Sequence, residues 1–143
     1  MKRAVCLGII FILAIFLLAG CHSKPGLSLL KIEEGSAPDA VRNFIQEQSD
    51  QNGVDLYSDG VHGDFLFLNA HNIENGGKAS YFEDVTCKII DGNLCIYFCE
   101  KQTENASQTA NSALIYKIDS EIEYHTIRVF RNGQEIRFDV VGA

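Results

Sequence analysis

Thiols, imidazoles and paired carboxylates are the groups in this chain that could do chemistry, and their spacing decides how much. Cys21 stands directly after Leu18-Ala19-Gly20, at the end of an apolar run that follows Met1-Lys2-Arg3. A basic start, an apolar stretch and small residues before a cut site make a secretory signal. Cys95 and Cys99 have a C-x₃-C spacing. On a strand that spacing separates them by about 13 Å, too far for one tetrahedral ion. His62, His71 and His125 are scattered, with no H-E-x-x-H pattern. His71, beside a glycine turn, is the histidine that invites a role; a strand-end histidine is the plainer reading. Asp55, Asp59, Gly60 and Asp64 look superficially like a calcium loop. Tyr57 and Leu66 stand where that loop needs oxygen ligands, which excludes an EF-hand. Glu33-Glu34, Glu121 and Glu123 read as solvated acidic faces rather than a catalytic pair. With no G-x-S-x-G, S-x-x-K or phosphate-cradling glycine loop, no catalytic residue, metal ligand or cofactor is nominated, and an enzyme is disfavoured.

Leu18-Ala19-Gly20-Cys21 resembles the lipobox of bacterial lipoproteins. The resemblance implies cleavage before Cys21, a diacylglycerol on its thiol and acylation of the new amino end. It implies a protein held on the extracytoplasmic face of the cell membrane. Two chains give a stable hold where one is marginal, at about 0.8 kcal/mol per buried methylene. The rival is an uncleaved anchor, but the apolar run from Ala4 to Gly20 is at the short end for a spanning helix. A soluble secreted protein would not need a cysteine at this position. The division expected is a signal peptide over 1–20, a lipidated tether over 21–35 and one helix-plus-β domain over 36–143.

Cutting before Cys21 removes 20 of 143 residues and leaves enough chain for one domain with a core. It also removes Lys2 and Arg3, which makes a net charge of −7 more negative still. That argues against nucleic acid, whose phosphates need clustered Lys and Arg. It argues against lying flat on an anionic membrane as well.

The elements that must position these groups follow from periodicity. Ser36 to Gln48 reads as a helix, with Ser36 as its cap and Pro38-Asp39 in the first turn. Val41, Phe44 and Ile45 give it one apolar stripe. Leu27-Leu29-Leu30-Lys31-Ile32 before it is a candidate first strand. After Gly53 the pattern changes to short strands: Val54 to Tyr57, Phe65 to Ala70, and Ser112 to Ile118. Two hairpins stand out, Ala79–Ile90 with Asn93–Lys101 around Asp91-Gly92, and Tyr124–Arg131 with Gln134–Val141 around Asn132-Gly133. The fold class expected is mainly β (α+β), an antiparallel β-sandwich or partly open barrel with one N-terminal helix.

The first hairpin bears on the thiols. A two-residue turn puts Ile89 opposite Leu94, Cys87 opposite Ile96 and Val85 opposite Phe98, all on the core side. Cys95 and Cys99 then point to the other side with Thr86, Lys88 and Tyr97. Cys95 and Cys99 exceed the roughly 7 Å limit between α-carbons of a disulfide, and Cys87 and Cys95 point to opposite sides, so neither pair can bond in this register.

Residues Asp64 to Asp119 resemble the carboxy-terminal domain of the PrcB family of protease-complex proteins. The matching parts are Phe65 to Ala70, Asn75-Gly76-Gly77, the Tyr81–Glu100 hairpin and Ser112 to Ile118. Lys78 departs from the pattern, which has an aromatic residue there. The resemblance implies a β-sandwich and a protein-interaction role, carried by loops Asn72–Lys78 and Gln102–Asn111. The binding residues it implies are therefore Asn75, Gly76, Gly77 and Lys78, and the expected partner is an envelope or secreted protein, a protease among the candidates. A small-ligand or envelope-sensing module is the alternative, and a hydrolase using His71 or His125 a third.

Overall fold

Two turn dipeptides set the frame. In the computed structural model, which describes residues 26–73, 77–104 and 110–143, Asp91-Gly92 and Asn132-Gly133 both have positive φ at each position. That is the two-residue geometry whose twist matches paired strands, and Asn or Asp followed by Gly adopts it at least cost. The first turn joins β4 (Ala79–Ile90) to β5 (Asn93–Thr103), and the second joins β7 (Thr126–Arg131) to β8 (Gln134–Ile136). These four form one sheet in the order β4-β5-β7-β8.

The second sheet is built around an unbroken apolar run. Strands β1 (Leu27–Ile32), β2 (Gly53–Asp59), β3 (Gly63–Asn69), β6 (Ala113–Ser120) and β9 (Val141–Gly142) take the order β1-β6-β3-β2-β9. Residues Phe65-Leu66-Phe67-Leu68 of β3 are all buried because this sheet is covered on both faces. Leu66 and Leu68 meet Leu94, Ile96, Phe98 and Val129 of the other sheet. Phe65 and Phe67 meet helix α1 (Asp39–Gln48) through its stripe Val41, Phe44 and Ile45. Among the described residues the fold is mainly β, two sheets with one N-terminal helix. Most pairings are antiparallel; β5–β7 and β2–β9 are parallel.

Several local expectations are corrected. Ser36 does not cap α1; it ends a 3₁₀ turn over Glu34–Ser36, and Pro38 holds the cap position with no side-chain bond. Asp39 does sit in the first turn, paired with Arg42. Val85 does not oppose Phe98 in register: a β-bulge between Glu83 and Thr86 puts Asp84 at φ 54° and bends the strand, while Val85 still packs on the core. The last hairpin is shorter than Gln134–Val141. Its second strand stops at Ile136, and Asp139 carries the chain across to the edge of β2 by bonding the backbone of Val54.

Cys87, Cys95 and Cys99 are free thiols, and Cys87 packs on the core as the register requires. Cys95 alternates away from Leu94 and Ile96, yet it is buried; its thiol donates to the Asn93 carbonyl at 3.8 Å, and Arg128 stands opposite it in the register. Burial also pushes the Cys87 thiol up from its ordinary range. Alkylation of the folded chain should therefore label Cys99 first, Cys87 slowly and Cys95 only on unfolding. Time-resolved mass spectrometry reads the order; Cys95 reacting as fast as Cys99 would contradict the packing described.

Candidate functional site

At the end of α1 the helix-side row of β3 runs out of helix to pack on. Phe65 and Phe67 are followed two residues on by Asn69, which is 3 % exposed. The last carbonyls of a helix lack partners within it. Here the Ser49 and Gln51 amides meet the Gln46 and Gln48 carbonyls, and Asn69 braces those same two residues: its Nδ2 donates to the carbonyl oxygens of Ser49 at 3.0 Å and Gln51 at 2.7 Å, and its Oδ1 accepts the His71 amide at 3.0 Å. Asn52 and Asn72 knit the same two segments. Asn52 donates to the Asn72 carbonyl at 2.6 Å and accepts the Asn72 amide at 2.9 Å.

This bracing holds open a cleft of about 330 Å³ between the ends of β1, α1 and β3 and the start of β6. Its apolar floor includes Ile45, Phe67, Leu114 and Ile115. Its rim carries Lys31, Glu33, Glu34, Ser49 and His71. Glu34 accepts from Gln46 at 3.0 Å, and Lys31 reaches Asn111 at 3.4 Å. A concave apolar site with a few polar groups at its mouth is the ordinary form of a binding pocket, and this volume is at the small end of that range.

The two loops nominated from the sequence meet at this same end. Lys78 pairs with Glu104 at 3.2 Å, and β4 begins beside the end of β5, Ala79 opposite Thr103. Gly77 and Lys78 are described and stand at the start of β4; Asn75 and Gly76 lie outside the described residues, as does Cys21. Sequence reasoning missed Asn69 and the cleft. A polar residue closing the run Phe65 to Leu68 was the available signal.

His71 Nδ1 lies 3.3 Å from the Ser112 hydroxyl. Ser112 is buried and its carbonyl accepts the Ala70 amide at 2.7 Å, so the pair ties β3 to β6. A hydroxyl nucleophile needs its histidine oriented by a third group, and no carboxylate contacts His71 among the described residues. His125 donates its backbone amide to the Gly92 carbonyl at 2.9 Å, on the β4–β5 turn.

The carboxylates near the β2–β3 turn hold that turn. Asp59 accepts from the Val61 amide at 3.0 Å, the His62 amide at 2.5 Å, the Tyr57 hydroxyl at 2.7 Å and meets His62 Nδ1 at 2.6 Å. These bonds, that from the His62 ring above all, hold its carboxyl well below the usual range. Asp64 accepts from the Ser58 and Tyr124 hydroxyls. Burial first, and then this bond, push the Tyr124 phenol above its ordinary value.

Comparison with protein-family models, with curated proteins and with solved structures finds no match to this chain.

Proposed function

We propose that the chain is an extracytoplasmic lipoprotein, anchored to the cell membrane through Cys21, whose domain is a non-catalytic module that binds another protein of the envelope. The lipobox-like segment supports the anchor. One observation supports the rest: the tether side and the cleft lie at opposite ends of β1. Gly26 bonds Glu121 at one end, both through its carbonyl, which accepts the Glu121 amide, and through its own amide, while Lys31 and Ile32 line the cleft at the other. Gly26 is five chain steps from Cys21, a reach of at most about 17 Å. An anchor at Cys21 would therefore hold the Gly26 end at the bilayer and turn the cleft outward, where a partner reaches it. Recognition by loops on a rigid β scaffold is a common arrangement.

The occupant that fits is an apolar side chain of the partner, seated on Phe67 and Ile115 and ringed by polar contacts. The PrcB-like pattern over Asp64–Asp119 adds a protease complex to the partner classes. The cleft also favours one second reading, a small apolar ligand.

Ala113 is exposed on the cleft rim, so Ala113→Arg should block the cleft without unfolding the domain. Full-length protein crosslinked in its native membrane and recovered with a partner should lose at least about tenfold of that partner in this variant. Recovery equal to the natural chain would count against the cleft. A small compound that raises the melting temperature of the natural chain and not of Ala113→Arg would move the assignment to the second reading.

A further inference from the structure

Asp55 is an acid in the middle of an apolar strand, flanked by Val54 and Leu56, and it is 2 % exposed. Its Oδ1 accepts the Val140 amide at 3.0 Å. Asp139 approaches from the segment between β8 and β9: its Oδ2 accepts the Val54 amide at 2.8 Å and its own amide donates to the Val54 carbonyl at 2.9 Å. The Leu56 amide donates to the Val140 carbonyl at 3.0 Å. The two carboxylates crowd one spot, since a Cβ on Gly53 would lie 3.3 Å from an oxygen of each. Beyond them, β9 contributes two parallel pairs, Leu56 with Val141 and Tyr57 with Gly142. Gly142 lies so flat on Phe44 that a Cβ would come within 2.5 Å of the ring. A few bonds, half of them through two carboxylates, hold this segment down.

We propose that Asp139–Gly142 is a pH-sensitive latch over the edge of β2, closed when Asp55 carries a proton and loosened when it ionises beside Asp139. Release uncovers the β2 edge and the Phe44 ring. The inference stands apart from the anchor and the cleft, because neither Cys21 nor a partner enters it.

Electrostatics support the geometry. Burial, and then the charge of Asp139, raise the Asp55 carboxyl to about 6 against the pull of the Val140 amide. Glu100 and Arg131 line the hollow beside Asp139 and pair with each other at 3.1 Å. Phe67 faces Asp55 from β3, and the α1 residues of that cluster are apolar. A carboxyl raised in the closed state stabilises it fully below the ordinary carboxylate range. That contribution is lost as pH rises through about 6.

Amide exchange of the full chain in detergent micelles, each rate divided by its intrinsic rate at the same pH, tests this. Protection of the Leu56, Asp139 and Val140 amides should fall about tenfold or more between about pH 5 and about pH 7.5, while the Leu66 amide stays protected. Asp55→Asn keeps an acceptor for Val140 and cannot ionise, so its protection should be flat with pH. Asp139→Asn, which removes the repelling charge, should move the midpoint down. Flat protection in the natural chain, or an unchanged midpoint in both variants, would overturn the latch.

Discussion

Replacing Leu66 by alanine, or its neighbour Phe67, is expected to cost the domain about 3–5 kcal/mol in either case. Adjacent strand residues point to opposite faces, so in a sheet with one wet face only one of the pair would matter. Here Leu66 is 0 % exposed against the second sheet and Phe67 5 % exposed against α1. Each truncation leaves a cavity in a different cluster. Urea unfolding of the two variants should give losses of similar size, and a loss under about 1 kcal/mol for either would mean that its face is not a packed layer. The Phe67 variant should also deepen the cleft, whose floor it forms, whereas the Leu66 variant should leave the cleft unchanged.

The second large effect is expected at a polar residue. Asn69→Ala removes the donors to Ser49 and Gln51 and the acceptor for the His71 amide. The Ser49 carbonyl keeps the Asn72 side chain as a donor, while the Gln51 carbonyl and the His71 amide lose this partner, and the expected loss is about 2–3 kcal/mol. Asn69→Asp keeps the acceptor and loses the donors, so it should not recover stability. Partner recovery by the full-length protein should fall with Asn69→Ala even where the domain remains folded, since the bracing of the cleft goes with it. A variant as stable as the natural chain would show that these bonds do not hold the α1–β2 connection.

The local parts of the fold were legible because they depend on neighbours in sequence. Asp91-Gly92 and Asn132-Gly133 mark turns by backbone sterics alone, and Val41, Phe44 and Ile45 mark a helix face by period. The run Phe65 to Leu68 read as a strand. What it packs on, a second sheet and a helix, depends on residues up to about 60 positions away. The same limit hid the β9 pairing, the burial of Cys95 beside β7 and the cleft. Asp55 and Asn69 each interrupt an apolar strand, and that conflict between residue and place was the visible sign of both the latch and the cleft brace. Leu18–Cys21 and Asn75-Gly76 lie outside the described residues.

Under the proposed orientation the cleft end, not the Gly26 end, meets a partner. A photo-crosslinking residue placed at Ala113 in the full-length protein, and another at Val61 in the exposed turn of the opposite end, tests it directly in the native membrane. A discrete protein captured from position 113 and not from position 61 is the expected result. Capture from position 61 alone, or no protein from position 113, would contradict it.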